Sequence, residues 1–445
     1  MPVIVWLRRD LRLSDHGAFA AAGDQPVIAV FVLDPRLLDR AGPVRRTYLF
    51  ASLRSLDAEI RGRGGEGLLV LTGDPVTVLP SLAARTGSPT VFVTGDYAPF
   101  GVRRDAAVAR ALSDIGVTMT AADSPYLHPP GTVTKVDGEP FSVFTPYYRT
   151  WARLPVPAAF HCAPHITRPL TGDPIPHSDS ESGGVAEGRA GELAAQQLLA
   201  RFLGGPLDRY DDDRNRTDLA GTSGLSAALH FGEIHPRSVV AAAGPGGGYV
   251  RQLCWRDFYA DVLFRHPQAA WRNVDPRFDA LPWQDDDTVF AAWCEGRTGY
   301  PMVDAGMRQL RDTGWMHNRT RMVVASFLTK DLLIPWQRGA RFFLDHLRDG
   351  DVANNSLGWQ WTAGTGMDPA PYYRVFNPVL QGLKFDPNGD YVREFIPELR
   401  HLPGAAVHEP WDQPDGYAGG YPDRIIDHAA ARKSALAAYE LVKAH

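Results

Sequence analysis

The sequence predicts an α/β + all-α protein: a doubly wound parallel α/β domain over residues 1–125, a connector over 126–190, and a helical domain over 191–445. Three observations predict it. In the first 125 residues, short β-branched runs alternate with amphipathic stretches, the pattern of a parallel sheet with helices on both faces. Beyond Tyr126, proline, histidine and small residues crowd the chain. From Ala190 onward apolar residues recur at helical spacing, and strand-like alternation nearly vanishes.

The predicted strands are 3–7, 27–33, 68–71, 90–93 and 117–120. Pro43 opens a helix whose Leu49, Leu53, Leu56 and Ile60 fall on one side. A second begins near Asp74-Pro75, and a third covers 101–115. No G-x-G-x-x-G follows the first strand and no P-loop lysine appears; Gly244-Pro-Gly-Gly-Gly248 reads as a loop. The connector carries Pro155, Pro157, Pro164, Pro169, Pro174 and Pro176, then the run 178–184, and is expected to drape over the surface and be partly mobile. Leu193, Gln197, Leu198 and Phe202 open the helical part. Met316, Val323 and Phe327 predict one helix at i, i+7 and i+11, and a last helix is expected near 425–442.

The net charge of -5 over 445 residues argues against indiscriminate nucleic-acid binding, yet leaves room for a local basic face. Residues 297–348 hold nine Arg or Lys against four Asp. Three cysteines without metal-ligand spacing predict neither a disulfide framework nor a zinc site, so no metal is expected and the cytoplasm is the expected compartment. The first residues read as a strand rather than a leader, and no apolar run reaches membrane-spanning length.

The chemistry concentrates in 349–361, where two carboxylates, two adjacent amides and two tryptophans fall together. If that run is helical, Trp359 and Trp361 point to nearly opposite faces, because two positions turn about 200°. The Asn354-Asn355 amides can donate or accept, which suits a ring nitrogen whose protonation changes during a redox cycle. Gly221-Thr-Ser-Gly-Leu-Ser226 is a hydroxyl-rich turn before a helix and a weak phosphate cradle. On a helix, Gln252, Trp255 and Arg256 share one face, as do Asn318 and Met322.

Taken in order, Trp6-Leu-Arg-Arg-Asp-Leu-Arg12, Gly221-Thr-Ser-x-Leu-Ser226, Trp255-Arg-Asp-Phe258, Thr298-Gly-Tyr-Pro-Met-Val-Asp304, Gly314-Trp-Met-His-Asn-Arg319, Asp349-Gly-Asp351 and Trp359-Gln-Trp361 resemble the DNA photolyase/cryptochrome family across essentially the whole chain. Within it the likeness is greatest to bacterial cyclobutane pyrimidine dimer photolyases. The resemblance implies FAD in the helical domain and an antenna chromophore on the α/β domain. It further implies blue-light repair of dimers, by an electron passing from excited reduced flavin to a dimer flipped out of the duplex. Tyr210, Thr222, Ser223, Gly224, Leu225 and Ser226 would hold the flavin phosphates and ribityl chain. Arg256, Asp349, Gly350 and Asp351 would surround the isoalloxazine, Arg321 would pair with Asp349, and Asn355 would sit at flavin N5. Trp359, Trp336 and Trp283 match the family's electron chain to the surface. Trp255 and Trp361 would wall the lesion, with Gln252, Asn318, Arg319 and Met322 on the dimer and Arg214 and Gln381 on the DNA. Arg45 and Asp96 look like antenna residues of deazaflavin-binding rather than folate-binding relatives.

Two departures matter. Gln252 stands where bacterial dimer enzymes usually carry glutamate, and a glutamine there is more like six-four photolyases. Those enzymes place two histidines where this chain has Asn318 and Met322, which outweighs Gln252. Gly224 replaces an arginine of the motif. The expectation is a monomeric photolyase acting on UV-damaged DNA. The alternatives are a cryptochrome-like blue-light sensor without repair, which the absence of a long tail disfavours, and a six-four photolyase.

Overall fold

The structure, a computed structural model, describes residues 1–177, 189–368 and 374–443. The run 178–184, expected to be mobile, lies outside the described residues. Five strands form one parallel sheet: β1 Val3–Leu7, β2 Val27–Leu33, β3 Leu69–Thr72, β4 Thr90–Thr94 and β5 Thr118–Asp123, in the order β3-β2-β1-β4-β5. Every predicted strand is present; β1 and β2 keep the predicted ends, and in the other three the ends move by at most three residues. β1 and β2 are buried along their whole length, as strands covered on both faces must be. Val3, Val5 and Leu7 face one core; Ile4 and Trp6 face the other. Asp74 caps helix Pro75–Thr86 by accepting Val76 N–H at 3.0 Å, and Pro75 supplies its first turn.

The chain divides into two compact units. The first comprises 1–208, 223–267 and 348–351, so it adds the helices Glu192–Leu203, Pro236–Ala243 and Gly247–Arg265 to the sheet. The second comprises 209–222, 268–347 and 352–445, and its described elements are all helical.

Three expectations change. The stretch after Tyr126 is more than a surface connector: Phe144–Trp151 is a helix with Phe144, Tyr147 and Trp151 buried. Further on, Ile166 is 3% exposed in the sheet core, where Val27 N–H donates to His165 O at 2.8 Å. The helix predicted from Met316 begins at Asn318, because His317 Nδ1 caps it by accepting Arg319 N–H at 3.1 Å. Phe327 belongs to a following π turn, Phe327–Asp331. The loop at 244–248 is also shorter than predicted, since Gly247 already opens a helix.

Candidate functional site

The helix Val352–Ala363 carries buried residues all round and is a core helix. One side anchors it: Ser356 Oγ donates to Ala270 O at 2.8 Å, and four residues on Gln360 Nε2 donates to Ala269 O at 2.8 Å. Gln360 Oε1 also accepts Val274 N–H at 2.9 Å. This grip fixes the rotation of the helix and so the aim of Asn355 and Trp359. Asn355 Nδ2 donates to Ala340 O at 2.8 Å, which leaves Oδ1 as its acceptor for a ligand N–H. Trp359 is 3% exposed, against Phe343 and Trp293 at centroid separations of 5.0 and 6.0 Å, and its buried Nε1 has no partner among the described residues. Gly339 makes room for it, since a Cβ there would lie 2.2 Å from the indole. Trp361, two positions on, is half-buried. Trp336 is fully buried with Nε1 donating to Asn273 Oδ1 at 2.8 Å, and Trp283 is half-buried. Two members of the expected electron chain are therefore interior and one reaches solvent.

The second unit also brings together residues expected on DNA. Arg319 Nη2 donates to Asn215 Oδ1 at 2.8 Å and its guanidinium lies 4.4 Å over Phe385. Burial, then the charge of Arg214, lowers the Arg319 pKa to about 10. Gln381 lies on the helix Pro378–Phe385, with Oε1 buried and unpartnered among the described residues. Asn318 is exposed, and its Nδ2 lies 3.9 Å from Met322 Sδ one turn on. Arg321 Nε donates to Met316 O at 2.9 Å. Tyr210 is buried on the short helix Tyr210–Asp213, against which Gly221 packs so closely that a Cβ would lie 2.9 Å from Asp213 O. Thr222, like its neighbour Ser223, is half-buried.

The basic segment 297–348 does not form one cationic face. Arg308 pairs with Glu398 at 2.7 Å, and Arg338 pairs with Asp285 and Asp287. Lys330 is 1% exposed, donates to Arg374 O at 3.0 Å, and is lowered by burial to a pKa of about 7. Arg319 and Arg214, expected on the dimer and on the DNA, lie beside each other.

In the first unit, Ser223–Ser226 form the turn before helix Ser226–Phe231. Gly224 has φ +67°, a conformation that an arginine would enter only with strain. Ser223 Oγ accepts Leu225 N–H at 3.4 Å. Asp349 is 7% exposed. Asp351 pairs with Arg9 at 2.7 Å, while Gly350 O accepts from Arg45 Nη1 at 3.3 Å. Arg9 Nε also donates to His230 O at 3.1 Å. Gly232 allows this approach: with φ +68°, its Cβ would stand 2.0 Å from Arg9 O. Arg256 donates to Pro125 O and Leu229 O and stacks 4.5 Å over Tyr126. Asp96 pairs with Arg104 at 3.0 Å; burial opposes ionisation there, but Arg104 and Arg8 hold its pKa below the usual carboxylate range. Arg45 and Asp96 thus have separate partners. On helix Gly247–Arg265, Gln252 Nε2 reaches Gly248 O at 3.5 Å and Trp255 is half-buried. Sequence reasoning missed Arg9, Gln360 and Trp293; Arg9 and Gln360 stood inside quoted motifs, and Trp293 carried no local signal.

His317 is 3% exposed, and burial followed by Arg319 and Arg321 lowers its pKa to about 4. Below pH 6.5 the unfolded chain binds a proton that the folded chain refuses until about pH 4. The stability present above pH 6.5 therefore falls across that window, by about 3 kcal/mol for this one group. Urea unfolding of the wild type and of His317→Gln, at pH 7 and at pH 4.5, checks this. The wild type should lose more, and a gap that does not change with pH would contradict it.

The fold defines a class: proteins with a parallel α/β unit and a helical unit. The sequence profile described as the FAD binding domain of DNA photolyase matches residues 249–441, and that described as DNA photolyase matches 3–164. The deoxyribodipyrimidine photo-lyase of Streptomyces griseus is 43% identical over 451 residues, covering 96% of this chain and 97% of that protein. Among solved structures, a bacterial class III photolyase from Agrobacterium tumefaciens has a TM-score of 0.92 at 37% identity, covering 100% of this chain and 98% of its own. An archaeal photolyase from Sulfolobus tokodaii with two FAD molecules gives 0.86 at 30% identity, with coverage of 99% and 100%. The cryptochrome of Synechocystis sp. PCC6803 gives 0.88 at 29% identity, with coverage of 98% and 99%. The chain belongs to the DNA photolyase family.

Proposed function

We propose that this protein uses blue light to split cyclobutane pyrimidine dimers in DNA. The observation that carries the reading is the full-length likeness to deoxyribodipyrimidine photo-lyases, joined to the Asn318–Met322 pair. The residues present fit FAD: a hydroxyl-bearing turn at 222–226, the free Asn355 Oδ1, and a buried, unpartnered indole N–H on Trp359. Bound FAD would supply the light-driven electron that opens the cyclobutane ring. Tyr210, Thr222, Ser223, Gly224, Leu225 and Ser226 hold its phosphates and ribityl chain; Arg256, Arg321, Asp349, Gly350 and Asp351 surround its ring system. Asn355 Oδ1 would accept a hydrogen bond from a flavin ring N–H, and Arg9 pairs with Asp351.

Trp255 and Trp361 stack on the flipped lesion, Gln252, Asn318, Arg319 and Met322 contact it, and Arg214 and Gln381 contact the DNA. A six-four enzyme needs an acidic histidine at the lesion. His317 cannot serve, because its Nδ1 is engaged as a cap and burial keeps the ring neutral. Affinity for an oligonucleotide carrying one thymine dimer should exceed that for the undamaged strand; equal affinities would overturn the proposal. The sensor reading draws on the cryptochrome likeness and predicts photoreduction without repair.

Trp283, Trp336 and Trp359 relay electrons to the flavin from solvent. Trp336→Phe should make photoreduction by external donor the slow step and leave repair by pre-reduced protein unchanged. Transient absorption and a repair assay read the two separately, and loss of both would contradict the division of roles. The antenna is a deazaflavin at Arg45 and Asp96. A second FAD, as in the Sulfolobus tokodaii protein, is the competing occupant, and the absorption spectrum of the extracted chromophores distinguishes them. No helix among the described residues is long and apolar enough to cross a membrane. The protein is proposed to act in the cytoplasm as a monomer.

A further inference from the structure

The helix Phe144–Trp151, in the stretch expected to be a connector, lies beside helix Gly247–Arg265 in the first unit. Its Phe144 is 1% exposed and stacks on Trp255 with centroids 3.6 Å apart and planes 9° apart. At that separation parallel rings overlap almost completely, so one face of the indole is covered. Phe258 meets the same indole edge-on, at 76° and 5.7 Å. Trp255 is nevertheless only half-buried, so the indole keeps surface for a partner.

One turn along, Tyr148 lies nearly parallel to Phe144, at 6.0 Å and 18°. Arg251, one turn before Trp255, lies over both rings at 5.4 and 5.3 Å. Arg251 is exposed, so its charge faces solvent while its flat guanidinium rests on the rings. The two helices are locked together: Trp151 Nε1 donates to Asp257 Oδ2 at 2.9 Å, and His128 N–H donates to the same oxygen at 3.1 Å.

We propose that Phe144 and Tyr148 form a positioning shelf that holds Trp255 flat for stacking on the flipped lesion and Arg251 for a flanking DNA phosphate. This rests on reading Trp255 as a lesion wall. An indole with no backing would sample several rotamers, and binding would have to freeze it. The shelf removes that cost before DNA arrives. It also sets base stacking and phosphate contact one helical turn apart on the same element.

The test is a titration of the FAD-loaded protein, in darkness, with dimer-bearing and undamaged oligonucleotides at several salt concentrations. Phe144→Leu keeps an apolar side chain but removes the flat face. It should weaken dimer binding about 3- to 10-fold, the value of an aromatic pair, leave undamaged binding unchanged, and be rescued by Phe144→Tyr. Arg251→Gln should weaken both oligonucleotides and lower the salt slope by about one. Should Phe144→Leu lose flavin or fold poorly, Tyr148→Leu carries the test, with a reduced salt slope expected. Trp255→Ala separates the two layers of the argument. If it leaves dimer affinity unchanged, the lesion-wall reading fails. If it weakens binding while Phe144→Leu matches the wild type, or while Tyr148→Leu keeps the full salt slope, the shelf fails.

Discussion

Replacing Trp255 by alanine is expected to weaken binding of a dimer-bearing oligonucleotide by about 1–3 kcal/mol, the contribution of one base–aromatic stack. At 1.4 kcal/mol per tenfold, that is roughly 5- to 150-fold in the dissociation constant. Undamaged duplex, which keeps its bases stacked inside, should bind nearly as before. On the proposed reading, selectivity would arise because a damaged pair is cheaper to flip and the indole would reward the flipped state. Trp255 also fills space above Phe144, so the variant should lose some stability; the damaged-to-undamaged affinity ratio isolates its recognition role from that loss. Fluorescence anisotropy with both oligonucleotides measures it, and an unchanged ratio would mean that the lesion is walled elsewhere.

The second large effect concerns Asp304, the last residue of the Thr298–Asp304 motif. Its carboxylate is fully buried and collects four donors: Thr298 N–H at 2.8 Å, Thr298 Oγ at 2.6 Å, Gly299 N–H at 3.0 Å and Tyr421 O–H at 2.5 Å. Burial raises its pKa, against the pull of Thr298 and Tyr421. Asp304→Ala leaves those donors buried without an acceptor and should cost about 3–5 kcal/mol. Asp304→Asn keeps one acceptor oxygen but turns an NH2 towards donors, and should fall between. Urea unfolding of the flavin-free protein measures both. An alanine variant as stable as the wild type would show that water or backbone movement satisfies the donors. The motif that helped to mark the family is thus held in place by folding, with Asp304 tying the turn at 298–299 to Tyr421.

The α/β half was legible because its strands are buried on both faces, which gives uninterrupted β-branched runs such as Val27–Leu33 between Gly and Pro signals. The helix Phe144–Trp151 escaped because Pro146 and the prolines after it suggest loop, while the aromatic spacing of Phe144, Tyr148 and Trp151 is too short to stand out. The π turn at Phe327–Asp331 has no sequence period of its own. Its buried Lys330 therefore entered the reading as surface charge. For the site, the types of group were readable: amide and paired tryptophans near 355–361, hydroxyls at 222–226, arginines at 214 and 319. Long-range partners were not. Arg9 reaches Asp351 across 342 residues, and Gln360 holds two backbone segments through an amide that looks like any polar residue between tryptophans.

The most direct measurement uses the purified protein with its flavin reduced, mixed with an oligonucleotide carrying a single thymine cyclobutane dimer, under blue light and in darkness. Restored thymines in the light alone are the predicted result, and would make Gln252 a tolerated replacement for the usual acid. No repair in the light by flavin-loaded, photoreducible protein would contradict the proposal. The same assay on a six-four lesion would then separate a six-four enzyme from a light sensor.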